Sequence, residues 1–428
     1  MAQVISAQHK PLQKLINVHD SYVAWKTLMK WLPQDSVHKD WWWKRLGGHL
    51  HVLLHEAGYN LNEQYEALLF LYYWVAPRMG PMPNSPQPVW RSFMTDDHSP
   101  IEYSWKWSPG DRAPEVRYSI EAIGDEAGSR EDPMNQASTV DLLQQLNHFI
   151  PELDLVWFEH FRRTLLGPGT PAAAYPDIGN SSVFLAFEMV HGRIRAKAYF
   201  LPVETPQLSA AQQISDAICK SGCSNLEAVH CLESYLLQSD AQGNSIRPFM
   251  LGIDCVKPAE SRLKIYARSP ETSFNFVHSV MTLGGRREGL DGVVGDFHEL
   301  WKLTLGLAPD EPPENSLSRS SHQTSGTLFY FDVAPKSPIP DVKTYIPVRH
   351  YAQSDLQAAR GLLGYLESRN SGLHAKAYIR CLEALESPEG LESTTGVQTY
   401  ITVAFERDGL SITSYLNPQI YRPSRWFP

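Results

Sequence analysis

Two hydrophobic rhythms alternate along this chain. In the first 75 residues apolar positions recur at helical spacing. Trp42, Leu46, Leu50, Leu53 and Leu54 follow Asp40, a capping candidate, and Gly58 ends the run. A second helix is predicted over 62–74, stopping before Pro77. A Pro-rich loop over 76–100 then leads into 101–107 and 115–123, which read as strands. Helices are predicted over 139–147 and 153–165. A hairpin over 182–190 and 193–201 follows, turning at His191-Gly192.

This order recurs. Helices over 210–237 precede strands 248–256 and 262–267, and helices over 273–305 precede strands 328–333 and 342–348. Helices over 354–385 precede strands 398–406 and 411–416. Five cycles of helices followed by two strands predict hairpins, and hence a mainly antiparallel sheet, because parallel neighbours need a crossover between single strands. The expected fold class is α+β: ten antiparallel strands closing into one barrel with a solvent-filled lumen, ringed by helices. One domain over 1–428 is expected, with the helical 1–75 packed on the barrel. The polar, Pro-rich 304–326 reads as a long surface loop rather than a boundary.

Three of the predicted strands carry the same local pattern of a cation, a spacer and a tyrosine: Lys197-Ala198-Tyr199, Lys264-Ile265-Tyr266 (preceded by Arg262) and Lys343-Thr344-Tyr345. Residues i and i+2 share a strand face, so cation and phenol point the same way. One such stretch is ordinarily a solvated face. Several aimed at one interior call for a strongly anionic ligand there. Phenols beside the cations add hydroxyl donors and ring faces that favour positive charge. An allylic diphosphate is both a polyanion and an incipient cation. Arg193, Arg195 and Arg268 share parity with these faces and are expected at the barrel rims.

Composition narrows the reading. A hydrophobic content of 43% supports a sizeable core, and a net charge of −9 with no basic tract excludes general nucleic-acid binding. Five cysteines are few and odd in number, so a disulfide framework is not expected and a reducing compartment fits. No signal pattern and no long apolar run is seen, which predicts a soluble, cytoplasmic protein without a membrane partner. His49, His51 and His55 lack metalloprotease spacing, and Cys219, Cys223, His230 and Cys231 fit no usual zinc pattern, so no metal site is expected. Trp41, Trp42 and Trp43 read as helix packing, and Gly284-Gly285 as a turn.

Further stretches extend the picture: Gly80-Pro81, Pro100-Ile101-Glu102-Tyr103-Ser104, Val116-Arg117-Tyr118, Asp132-Pro133-Met134-Asn135-Gln136 and Thr282-Leu283-Gly284-Gly285. In order and spacing, with the Lys-x-Tyr strands, the chain resembles the fungal aromatic prenyltransferases of the dimethylallyltryptophan synthase type, which are built on the ABBA barrel. The resemblance implies that Arg117, Lys197, Arg262, Lys264 and Lys343, with Tyr199, Tyr266 and Tyr345, bind the prenyl diphosphate. It implies that Tyr199, Tyr266, Tyr345 and Tyr415 shield the allylic cation. Glu102 would accept a hydrogen bond from the aromatic acceptor, and Met94, Phe184 and Ser411 would line the acceptor pocket. No DDxxD motif is present, since Asp96-Asp97 runs into His98-Ser99-Pro100, so the implied chemistry needs no metal and no cofactor. The partners are then two small molecules, dimethylallyl diphosphate and an aromatic acceptor.

Two departures bear on the acceptor. Phe184 stands where tryptophan C4-prenylating relatives place a lysine, and Ser411 stands where the family often has a second tyrosine. Both weaken the case for free tryptophan. The expected reaction is prenylation of an indole ring in tryptophan, a cyclic dipeptide or an alkaloid. A phenolic acceptor and a non-catalytic diphosphate-binding barrel are the alternatives.

Overall fold

The protein is described here by a computed structural model covering residues 22–426 except 109, 111, 168–180, 191, 319, 387 and 407–408. His191 of the expected turn, and residues 1–21, lie outside the described residues. Ten strands form a closed barrel: β1 (Ile101–Lys106), β2 (Glu115–Ile120), β3 (Val183–Val190), β4 (Arg193–Phe200), β5 (Arg247–Asp254), β6 (Leu263–Ser269), β7 (Thr327–Val333), β8 (Asp341–Ile346), β9 (Gln398–Glu406) and β10 (Gly409–Leu416). Each pairs antiparallel with the next in sequence, and β10 closes on β1.

Period-two alternation explains the two sides of this wall. On β1, Ile101, Tyr103 and Trp105 face outward and are fully buried beneath helices, whereas Glu102 and Ser104 face the lumen. On β6, Leu263, Ile265 and Ala267 belong to the outer core, and Lys264, Tyr266 and Arg268 line the lumen. The main hydrophobic core is therefore a shell between barrel and helices, and the lumen is left to polar and aromatic side chains.

The helices that supply the outer layer lie where the sequence expects them. The predicted helix of 40–58 is built from Val37–Trp42 and Gly48–Glu56 joined by a π turn, Trp43–Gly47. A side chain at Gly47 would meet the Trp25 and Trp43 rings at 2.5 and 2.7 Å, so glycine is what lets these rings pack. Trp42 donates its indole N–H to the Gly80 carbonyl, tying this layer to the Pro-rich loop. The helices predicted over 210–237 are Ala210–Cys219 and Leu226–Ala241, the second capped by Asn225. Among the described residues no helix is long and apolar enough to cross a membrane.

Two strands carry an extra residue. Between Pro248 and Met250 the pairing of β5 with β6 slips, leaving Phe249 unpaired, and Thr399 is likewise skipped where β9 meets β10. Bulges of this kind turn a side chain that strict alternation would send outward. Phe249 joins Met250 in the lumen, and Thr399 reaches Glu102.

Candidate active site

The lumen holds a cavity of about 1060 Å³, with open volume at its mouth included. Its cationic end is built by cross-strand register. Arg117 on β2 lies opposite Glu188 on β3, Lys197 on β4 opposite Asp254 on β5, and Lys264 on β6 opposite Asp332 on β7. The ammonium of Lys197 is 2.5 Å from Glu188 and 3.7 Å from Asp254, and Lys264 is 2.9 Å from Asp254. Arg117 reaches Glu188 at 2.7 Å and also bonds Glu115. Arg262, immediately before β6 and partly exposed, bridges Asp254 at 2.8 Å and Asp332 at 3.2 Å.

These carboxylates correct the sequence reading, which counted the cations and not their partners. The signal was present in the parity of β3 and β5, where Glu188 and Asp254 fall on the lumen face. Burial pushes the Glu188 carboxyl up, but Lys197 and Arg117 outweigh it and hold the group near 2. Asp254 is held far below the usual carboxylate range by Lys264, Lys197 and Arg262 against its own desolvation. With Lys106, which shares Glu115, six cations thus face four carboxylates, and the one left without an ion pair is Lys343. That lysine has no carboxylate within ion-pair distance among the described residues, and its ammonium lies 5.8 Å over the Tyr330 ring. Burial, reinforced by Arg117 and Lys197, lowers it to about 7. The buried Arg117 Nε also lacks a partner. This end of the lumen has donors in hand for an anion.

A belt of six tyrosines follows: Tyr199, Tyr266, Tyr330, Tyr345, Tyr400 and Tyr415. Their rings touch in sequence, Tyr199 to Tyr266 at 5.9 Å, Tyr266 to Tyr330 at 5.2 Å, and Tyr345 to Tyr400 and Tyr415 at 5.4 and 5.5 Å. Gly252 makes room for it, since a side chain there would meet the Tyr199 ring at 2.9 Å. The cation-spacer-tyrosine pattern found three of these rings, and the family resemblance added Tyr415. Tyr330 and Tyr400 escaped because no cation stands two residues before them.

Beyond the belt lies Glu102. It is half-buried, accepts a 2.6 Å hydrogen bond from Thr399 and is raised to about 7 by desolvation, which Thr399 and Arg349 only partly offset. Phe93, Met94 and Asp96 from the Pro-rich loop, Phe249, and Phe184 stacked on Tyr199 at 4.6 Å complete this end. The loop is pinned by the buried Glu121, which accepts bonds from Trp90, Ser92, Ser181 and Asn135. Asp97 is structural, accepting from Ser99, Asn417 and the Tyr421 backbone.

Other placements differ from expectation. Arg268 lines the cavity wall rather than a rim, bonding the Thr324 and Ser325 carbonyls. Its strand runs one residue pair further than the sequence suggested, and the loop 304–326 folds back onto it. Ser411 pairs with Ala404, four residues from Tyr415 on β10, and does not line the cavity. Arg193 and Arg195 do lie exposed at the end of the β3–β4 hairpin. Among the described residues the one His/Asp group at metal-holding spacing is Asp96, His322 and His350, which the sequence did not single out. The Arg349 Nε already lies 2.9 Å from Asp96 and 3.1 Å from His350, filling the place of a cation.

Residues 38–381 match the sequence family described as tryptophan dimethylallyltransferase. The chain is 35% identical to prenyltransferase anuH of Penicillium roqueforti over 424 residues, covering 94% of each. It is 38% identical to the DMATS-type prenyltransferase fscG of Fusarium equiseti, covering 93% of this chain and 95% of that one. The chain belongs to the tryptophan dimethylallyltransferase family. It is a prenyltransferase of that family, and its barrel is the family's. Xanthone prenyltransferase B of Emericella nidulans is 32% identical over 94% of this chain and 92% of its own. Among solved structures, AnaPT from Neosartorya fischeri superposes with a TM-score of 0.81 at 23% identity, covering 92% of this chain and 98% of that one. NotF in complex with brevianamide F and DMSPP gives 0.76 at 23%, covering 93% and 98%. At that identity the likeness speaks for the fold alone.

Proposed function

We propose that this dimethylallyltransferase-family enzyme moves a dimethylallyl group from its diphosphate to a hydroxylated aromatic ring, without a metal ion. The observation that carries the reading is the order of groups along one lumen: a cluster of lysines and arginines, then tyrosine faces, then Glu102, a half-buried carboxylate that forms no ion pair among the described residues. The diphosphate docks on Lys343, Arg117, Lys197, Lys264 and Arg262. As the allylic C–O bond breaks, the electron pair goes to the diphosphate oxygen, whose charge these donors stabilise without reorganising. The carbocation left behind sits between tyrosine faces, each favouring positive charge by ~1–2 kcal/mol and excluding water. Glu102 holds the acceptor hydroxyl, drawing electron density into the ring, and the ring carbon attacks. The ring proton then passes to an oxygen of the diphosphate just released, the base that the reaction itself supplies, and aromaticity is restored.

Two relatives support the hydroxylated acceptor, xanthone prenyltransferases A and B, at 34% and 32% identity over at least nine-tenths of this chain. Phe184 supports it too, because its ring packs on Tyr199 and puts an apolar wall where the tryptophan C4-prenylating relatives place a lysine. An indole acceptor is the second reading. Its support is the fold shared with enzymes solved with tryptophan or brevianamide F, and a carboxylate that accepts from N–H as readily as from O–H. The test is turnover of dimethylallyl diphosphate in EDTA against hydroxyxanthones, dihydroxynaphthalenes, tryptophan and cyclic tryptophan dipeptides, read by mass spectrometry. A prenylated phenol formed in EDTA is expected. Product from the indoles alone, or a requirement for Mg²⁺, overturns this reading.

The site also sets a pH profile. Glu102 must be ionised to accept the bond, which favours pH above about 7. Lys343 must be charged to receive phosphate, which favours pH below about 7. A narrow bell of kcat/KM centred near neutrality is expected, since this ratio reports the free enzyme. Diphosphate binding raises the lysine's proton affinity, so binding at pH 8 takes up a proton, measurable as a buffer-dependent enthalpy. A flat profile between pH 6 and 8 would contradict the assignment.

A further inference from the structure

Six cations line the cavity, and four of them have a carboxylate within ion-pair distance: Arg117, Lys197, Lys264 and Arg349. Among the described residues two do not. One is Lys343, at the phosphate end. The other is Arg268, at the opposite end.

Arg268 shares the lumen face of β6 with Lys264 but stands four residues along it, about 13 Å away at strand rise, on the far side of Tyr266. A diphosphate held by Lys264 does not reach it. Every partner of its guanidinium is neutral. Nη1 donates to the Thr324 and Ser325 carbonyls, Nη2 lies 3.4 Å from the Tyr400 hydroxyl, and the group sits 5.8 Å over the Phe249 ring. The two carboxylates at this end are engaged elsewhere, Asp96 with Arg349 at 2.9 Å and Glu102 with Thr399 at 2.6 Å. Arg349 donates to the same Tyr400 hydroxyl at 2.9 Å, so the two guanidiniums meet on one phenol. A half-buried guanidinium with only neutral partners is costly unless an anion completes it.

We propose that Arg268, with Arg349 and the Tyr400 hydroxyl, forms a second anion site, and that the aromatic acceptor carries a carboxylate held there. This rests on the reading above that the Glu102 end receives the acceptor. The planar fork of Arg268 matches a carboxylate, and the bulge that brings Phe249 into the lumen sets a ring beneath it. The acceptor is then fixed at two points, its acid on Arg268 and its hydroxyl on Glu102, with its ring presented to the tyrosine belt. Arg268 is a specificity residue for the acceptor and leaves the diphosphate end untouched.

The experiment compares 3,5-dihydroxy-2-naphthoic acid with its carboxamide on the full chain and on Arg268→Gln and Arg268→Lys. Turnover and equilibrium binding are both measured with dimethylallyl thiolodiphosphate or its substrate counterpart present. A charge-assisted bond predicts an acid preference of at least about tenfold, collapsing to near one in Arg268→Gln and partly restored in Arg268→Lys. Inorganic diphosphate affinity, read on each variant, shows that the barrel and its phosphate end are intact. An equal preference for acid and amide in the native chain, or a preference that survives Arg268→Gln, overturns the proposal. If neither naphthol is prenylated, the hydroxylated-acceptor reading fails by itself. The binding comparison still decides the anion site in that case.

Discussion

Glu102→Gln is expected to lower kcat by about 10²–10⁴-fold while leaving diphosphate affinity within a factor of about two to three. Glutamine keeps the shape and can still meet Thr399, but it removes the charge that accepts the acceptor's proton-bearing group and activates the ring. The effect is concentrated in one residue because no other carboxylate at this end is free. Asp96, the nearest candidate, is held by Arg349 at 2.9 Å. The acid limb of the pH profile should vanish with it, since that limb reports the titration of Glu102 near 7. Single-turnover kinetics with saturating dimethylallyl diphosphate separates the chemical step from binding. A kcat within threefold of the native value would remove Glu102 from the mechanism.

Lys343→Met is expected to separate stability from activity. The lysine's folded pKa lies below its unfolded value, so the unfolded chain binds the extra proton between about pH 7 and the ordinary lysine range. Stability is therefore lost as pH falls through that window, and the loss is complete below about 7. Methionine abolishes it, so the melting temperature should rise by a few degrees, on the order expected for 1–2 kcal/mol in a chain of this size, and by more at pH 7 than at pH 10. No carboxylate is stranded, because Lys343 has no acidic partner to abandon. Activity should move the other way, with kcat/KM down by about 10²–10³-fold, the scale of losing one preorganised donor to a departing oxyanion. A variant that is both more stable and fully active would show that the diphosphate binds elsewhere.

Much of the fold was legible because barrel and helices have different hydrophobic periods and alternate in strict order. Every predicted hairpin from 101 to 416 is present, with ends displaced by a few residues. The Lys-x-Tyr stretches were readable because strand parity is a local rule. What escaped depends on neighbours that are distant in sequence. Glu188 and Asp254 matter through the strands opposite them. Thr399 and Phe249 face the lumen only because of bulges, which break the parity that a sequence reading assumes. Arg268 looked like a rim residue because nothing in the sequence says that Thr324 and Ser325 fold back over it. Ser411 shares the correct face but lies too far along its strand.

Those two bulges also bear on how such a barrel can be remodelled. In an unbroken strand, inserting or deleting one residue turns inside out every position on one side of the change. The odd residue at Phe249 absorbs that slip between the part of β5 that carries Asp254 and the part beyond Pro248. The odd residue at Thr399 does the same for β9 beyond Tyr400. Each bulge works as a joint between the body of a strand and the short stretch that enters it, Arg247-Pro248 on β5 and Gln398 on β9. A single-residue indel on the acceptor side can thus re-tailor what the enzyme prenylates without disturbing the grip on the prenyl donor, and libraries built on indels at these two positions should retain donor binding far more often than indels placed mid-strand near Gly252.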